Sequence, residues 1–141
     1  MTSNAEAGAV ADTSVVIALT LGGHARHRSA VEAHRRYAPV LAGHARFEAY
    51  SVLTRMPPPG RLSPADAALA LRRNYPQTVW LGAADQRRVL DALVRAGVQA
   101  GAVYDGLVAG SAMLARLPLL TSDQRAVATY QALGVDVIMV E

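Results

Sequence analysis

The sequence predicts an α/β domain in which a mainly parallel sheet is covered by helices. Short apolar, β-rich runs alternate along the chain with longer stretches of helical pattern, the signature of strands joined by helical crossovers. Composition agrees: over 141 residues, 52% are hydrophobic against 18% charged, which excludes intrinsic disorder and suffices for one buried core.

Taken in order, the first strand candidate is GAVAD (8–12), an apolar run that ends on Asp12. TSVVIAL (13–19) is open between two readings, because its β-branched residues favour a strand while its place directly after Asp12 suits a helix start. Residues 24–37 read as a helix, with Arg28, Glu32 and Arg36 spaced i, i+4 on a solvated face. PVLAG (39–43) is the second strand candidate. Over 44–56, Ala45, Ala49, Val52, Leu53 and Met56 make one apolar face at 3.6-residue spacing, and Glu48 flanks it.

PPPG (57–60) cannot continue that helix. LSPAD then starts another, with Ser63 as N-cap, Pro64 at the first helical position and Asp66 in the first turn, so a helical hairpin spans 44–73. QTVWLG (77–82) is the third strand candidate, and nearby Tyr75 and Trp80 read as packing residues rather than base-stacking platforms. Helix 83–96 carries Arg87, Asp91 and Arg95 at i, i+4 spacing. Helix 105–116 is rich in Ala and Gly, with Asp105 as its single charge before Arg116. PLLTS (118–122) is the fourth strand candidate, 124–133 the last helix and GVDVIMV (134–140) the fifth strand. Residues 1–8 read as a flexible N-terminus and 9–141 as a single domain.

The chain has no cysteine, so disulfide scaffolds and thiolate zinc sites are excluded. Its start has neither the basic segment nor the apolar run of a secretory signal, and no apolar run nears the roughly 18 residues needed to span a membrane. A cytoplasmic location is the expectation. All fourteen basic residues are arginine, and against eleven acids they leave a net charge of +3, a mild pull toward polyanions.

Most of the acids have ordinary surface, cap or terminal places. Four instead follow or interrupt apolar segments: Asp12, Glu48, Asp105 and Asp123. Asp12 and Asp123 close strand candidates, and open parallel sheets bind ligands at the carboxyl ends of their strands. Asp105 shares a helix face with Val108, Ala109 and Ala112, which turns its carboxylate inward. On the same helix Gly106 and Gly110 each cost about 0.5–1 kcal/mol relative to Ala, which suggests close approach by another backbone or a ligand. Clustered, partly buried carboxylates repel unless a cation compensates, and all-oxygen ligation suits Mg²⁺ or Mn²⁺. Such an ion orients or deprotonates a water for attack on phosphorus. Singly, each acid also has a plain structural reading: Asp12 and Asp123 as N-caps, Asp105 as a first-turn acid, and Glu48 as the i+4 partner of His44.

As a set, these residues make the chain similar to the PIN-domain ribonucleases, most closely the VapC-type toxins of toxin–antitoxin pairs. The matching pieces stand in family order: ADTSVVIAL with Asp12, ARFEAYSVLTR with Glu48, VYDGLVAGSAMLA with Asp105, and LPLLTSDQRAVATYQALGVDVIMV with Asp123. The resemblance implies a PIN-like α/β/α sandwich with a five-stranded, mainly parallel sheet. It also implies that the four acids act as catalytic metal ligands around Mg²⁺ or Mn²⁺, hydrolysing RNA to leave a 3′-hydroxyl and a 5′-phosphate. Ser14 and Thr121 fall where the family keeps hydroxyls beside the acids. Gln124 and Arg125 follow Asp123 where some relatives carry a further acid, so one or two ions remain open. The resemblance further implies a homodimer and a VapB-type antitoxin whose C-terminal segment lies over the active site. Related toxins attack tRNAs or an rRNA loop.

RNA phosphates need cations around such a site. Arg125, beside Asp123, and Arg46, near Glu48, are the chosen candidates among the arginines. His24 and His27 lack an accompanying acid or Cys pattern, which favours surface or capping roles over metal binding. A receiver or aspartate-nucleophile phosphatase also uses acids at strand ends, but those families place a lysine near the phosphoryl group, and this chain has none. The remaining alternative is a non-catalytic PIN-like module that binds RNA or a partner.

Overall fold

The computed structural model of the chain describes residues 6–141, and among these it contains five strands and seven helices. In chain order they are β1 (Val10–Ala11), α1 (Thr13–Thr20), α2 (His27–Tyr37), β2 (Val40–Ala42), α3 (Gly43–Arg55), α4 (Pro64–Asn74), β3 (Thr78–Val79), α5 (Ala83–Ala96), α6 (Ala102–Ala115), β4 (Leu119–Thr121), α7 (Val127–Ala132) and β5 (Val137–Met139). All pairings are parallel, in the order β3-β2-β1-β4-β5. The α/β class, the parallel sheet and its five strands are thus as the alternation of patterns predicts. Of the expected flexible N-terminus, residues 1–5 lie outside the described residues, whereas Gly8 donates its backbone N–H to the Tyr37 carbonyl at 2.7 Å.

Chain direction across the sheet reverses between β1 and β4, which are adjacent in space yet separated by most of the sequence. Right-handed crossovers on either side of that seam send helices to opposite faces and leave a crevice at the carboxyl ends of β1 and β4. The seam is dry: Ala9, Val10, Ala11, Leu119, Leu120 and Thr121 have no exposed surface. Strands buried on both faces read as continuous apolar runs, which is why GAVAD and PLLTS do not alternate.

The ambiguous segment after Asp12 is helical. The Asp12 side chain accepts the Val15 N–H at 3.2 Å, and this N-cap outweighs the β-branched content of α1. The hairpin of α3 and α4 forms as expected, with the Ser63 hydroxyl accepting the Asp66 N–H at 3.1 Å. Helix α6 begins at Ala102, three residues before its expected start, because Gly101 already has helical dihedrals. Helix α7 is shorter than expected, since residues just after Asp123 form turns closed by Arg125 N–H to Asp123 Oδ1 and Ala126 N–H to the Asp123 carbonyl.

Gly106 and Gly110 serve neither a backbone approach nor a ligand, contrary to the sequence reading. A Cβ on Gly106 would stand 2.3 Å from Leu93 Cδ2, and one on Gly110 would stand 2.5 Å from Val89 Cγ2. The two glycines let side chains of α5 sink into α6.

Candidate active site

Asp12 sits at the crevice, 3% exposed, with every oxygen engaged. Its Oδ1 accepts the Ser14 hydroxyl at 2.6 Å as well as the Val15 amide, and its Oδ2 accepts the Tyr130 hydroxyl at 2.9 Å. Burial pushes its carboxyl above the ordinary range, while the hydroxyls of Ser14, Thr121 and Tyr130 and the Val15 amide pull the other way.

Ser14 stitches the seam together. Besides donating to Asp12, its oxygen accepts the Ser122 N–H at 2.9 Å and lies 3.4 Å from the Thr121 hydroxyl. The Thr121 oxygen accepts the Asp123 N–H at 3.0 Å. A string of hydroxyls therefore sets the Asp123 backbone at the end of β4 relative to Asp12 at the end of β1.

Helices α3 and α6 bring the other two acids within range of the charge of Asp12. Burial raises the Glu48 carboxyl; His44 Nε2, 3.1 Å from Glu48 Oε1, opposes that rise, and the charge of Asp12 adds to it. Asp105 is pushed up to about 6, first by burial and then by the negative charges of Asp123, Glu48 and Asp12, with only His44 pulling it down. Asp105 on α6 thus feels the charges of Asp12 after β1, Glu48 on α3 and Asp123 after β4, and Glu48 feels that of Asp12. Against them stand Arg55, acting on Glu48, the His44 ring, which is charged only when protonated, and Arg125, whose Nε lies 3.6 Å from Asp123 Oδ1 while the side chain is 95% exposed. So exposed a pair compensates little.

This excess of oxygen donors over cations fits a hard divalent ion. Among the described residues no three of His, Cys, Asp and Glu are grouped as a ready-made metal cage. Mg²⁺ does not need one, since it keeps several waters and takes one or two carboxylates with the rest of its shell supplied by solvent or phosphate.

Tyr130 is the site residue that sequence reasoning missed. Its ring is buried in α7 and its hydroxyl is held un-ionised far above the ordinary tyrosine range, first by burial and then by the charge of Asp12. No spacing rule joins positions 12 and 130; the signal lay only in a tyrosine on the short helix following the Asp123 turn.

Arg46 corrects the expectation of an RNA-facing arginine. Its Nε donates to the Thr78 hydroxyl at 2.8 Å and its Nη2 to the Tyr75 carbonyl, so the guanidinium braces α3 against β3. Tyr75 is fully buried, as expected of a packing residue, with its ring edge-on to His34 at 5.2 Å. Trp80 departs from that expectation, being 55% exposed beside Phe47. His24 accepts the Arg26 N–H and His27 bonds the Ala18 carbonyl, which are turn and capping roles.

Known proteins share this architecture. VapC20 from Mycobacterium tuberculosis, a toxin that cleaves the sarcin-ricin loop, superposes with a TM-score of 0.66 over 84% of this chain and 92% of its own, at 22% identity. PAE2754 from Pyrobaculum aerophilum does so with a TM-score of 0.61 over 95% and 91%, at 21% identity. At such identities the likeness is one of fold. Sequence relatives are nearer: the chain is 42% identical over 130 residues to ribonuclease VapC27 of M. tuberculosis, covering 91% of this chain and 93% of that one. It is 43% identical over 133 residues to ribonuclease VapC40 of the same organism, covering 92% and 96%. The PIN domain profile matches residues 9–131, a span that contains all four acids together with Ser14, Thr121 and Tyr130, and the chain belongs to the PIN domain family.

Proposed function

We propose that this chain is an RNA-cleaving toxin of the VapC type, a metal-dependent endoribonuclease kept in check by a VapB-type antitoxin. The reading rests on the PIN family and on two ribonuclease relatives above 40% identity. The single observation that carries the chemistry is Asp105, raised to about 6 first by burial and then by the charges of three neighbouring carboxylates. A bound Mg²⁺ or Mn²⁺ supplies the missing positive charge, lowers the pKa of water and neutralises charge on the phosphate.

Asp12 and Asp105, with Glu48 and Asp123, are the residues that would hold it. Asp12 is kept fixed by Ser14 and Val15 at Oδ1 and by Tyr130 at Oδ2, which leaves Oδ2 the oxygen with acceptor capacity to spare. Glu48 and Asp105 are partly exposed and stay within reach of solvent, where a water could lose its proton to either. Ser14 and Thr121 hold the two strand ends in register, and exposed Arg125 is the arginine placed to meet an RNA phosphate. An arginine supplied by the antitoxin would satisfy the same carboxylates by bidentate hydrogen bonds and so block the site. A homodimer in the cytoplasm completes the proposal; no helix among the described residues is long and apolar enough to cross a membrane.

The test is cleavage of total cellular RNA and of an isolated rRNA loop by the purified chain. Cutting should require Mg²⁺ or Mn²⁺, stop in EDTA and be lost in Asp105→Asn. Undiminished cleavage by that variant would overturn the mechanism, and binding of RNA without any cutting would favour the non-catalytic module.

A further inference from the structure

We propose that the pocket between α3, β3 and α6 is a nucleobase subsite, in which Trp80 and Phe47 stack on a base of the RNA whose backbone lies at the acids. The proposal rests on the ribonuclease reading above and deepens it. The pocket has a volume of about 200 Å³ and is lined by His44, Phe47, Trp80, Leu107, Gln86 and Ser111. Its two large aromatic walls are more exposed than core rings ever are: Phe47 is 67% and Trp80 55% exposed, with ring centroids 6.0 Å apart at 64°.

Exposed rings are usually mobile, but Trp80 has a built seat. A Cβ on Gly43 would lie 2.7 Å from its Cε3, so the indole rests on the bare backbone at the start of α3. Gly43 is itself buried, and its missing side chain is what the indole occupies. An aromatic held rigid and half exposed is suited to binding, because little side-chain freedom is lost when a ligand arrives.

Adjacency to the acids selects the occupant. His44 lines the pocket and also bonds Glu48, so one side chain separates the pocket from the carboxylates. His44 is also stacked on exposed Tyr104 at 5.5 Å and 13°, next in sequence to Asp105. A phosphate bound at the acids therefore has its neighbouring base within reach of an aromatic surface running from Tyr104 through His44 to Phe47 and Trp80. Proteins read RNA mainly through unstacked single-stranded bases, held by aromatic stacking and edge hydrogen bonds. An edge partner is present: the Gln86 amide donates one N–H to the Leu81 carbonyl at 3.0 Å and keeps a second N–H, while the Ser111 hydroxyl in the wall donates to the Val79 carbonyl at 3.2 Å and keeps only its acceptor capacity. A pocket of this size accepts one planar ring and excludes a helix.

Trp80 is the chain's single tryptophan, so its fluorescence reports on this pocket alone. The full chain carrying Asp105→Asn, which should leave RNA uncut, is titrated with a mixed-sequence RNA decamer and with an abasic ribose-phosphate chain of equal length. We expect quenching by the decamer and none by the abasic chain. In otherwise unaltered protein, Trp80→Ala should raise KM for decamer cleavage about tenfold, a typical stacking loss per base, and Trp80→Phe should restore most of it. Equal quenching by both chains, or an unchanged KM in Trp80→Ala, overturns the subsite and leaves the ribonuclease reading standing. Fluorescence that shifts with protein concentration before RNA is added, with no further change on adding it, overturns it in favour of a second copy covering the face. Base-dependent quenching in a chain whose unaltered form never cuts RNA would keep the subsite and remove the ribonuclease.

Discussion

The Tyr130 hydroxyl donates to Asp12 Oδ2 at 2.9 Å, so a residue of α7 orients the buried carboxylate at the end of β1 across 118 positions of sequence. Tyr130→Phe keeps the ring and deletes only this donor. It leaves a buried charged acceptor short of a partner, which costs about 1–3 kcal/mol and should appear as a lower midpoint in urea unfolding. Because the same hydroxyl opposes the rise of the Asp12 carboxyl, the variant should also need more Mg²⁺ for half-maximal cleavage.

Asp105 makes the stability of the metal-free chain depend on pH. Its carboxyl is raised to about 6 in the folded state against about 3.9 for an unperturbed aspartate, so the folded chain binds the proton more tightly than the unfolded chain. The stabilisation is therefore fully present below about pH 4 and is lost as pH rises through about 6. Thermal unfolding in EDTA should give a midpoint contribution that falls between pH 4 and 6 in wild type and is absent in Asp105→Asn. Saturating Mg²⁺ should flatten the same slope in wild type.

Gly110→Ala should destabilise more than Gly106→Ala. At Gly110 the new Cβ meets Val89 Cγ2 at 2.5 Å and Leu81 Cδ1 at 3.2 Å, and Val89 on helix α5 has a single comfortable rotamer. At Gly106 it meets Leu93 Cδ2, the end of a side chain with more freedom to turn. Overpacking costs about 1–3 kcal/mol and the gain in helix propensity returns up to about 1. Guanidinium denaturation of the two variants measures the difference.

Arg46→Ala should lower stability by about 1–3 kcal/mol through loss of its bonds to Thr78 and the Tyr75 carbonyl. It should leave the salt dependence of RNA binding unchanged. Arg125→Ala should do the reverse: little change in stability and a reduction of the salt slope by about one phosphate contact. Binding measured from 50 to 200 mM salt separates the two arginines.

Much of this molecule was legible in the one-dimensional pattern. Apolar runs without alternation marked the parallel strands, Ser63 and Pro64 marked the start of α4, and the four acids stood out because each follows or interrupts an apolar segment. These features are local or periodic, and local chemistry dictates them: caps, rotamer preferences and the burial of both sheet faces. The competition at TSVVIAL was also local, and one side-chain bond from Asp12 to Val15 resolved it.

What only the tertiary structure decided depends on contacts between distant positions. Tyr130 reaches Asp12 because β4 lies beside β1 and carries the Asp123 turn and α7 to the same seam. Trp80 is exposed because the indole settles on Gly43 instead of entering the core, and Arg46 turns to β3 because its donors meet a carbonyl and a hydroxyl there. Even the glycines of α6, conspicuous in the sequence, take their meaning from Val89 and Leu93 on α5. A residue type states what a side chain is able to do; which partner it does it with is settled when the sheet order brings the elements together.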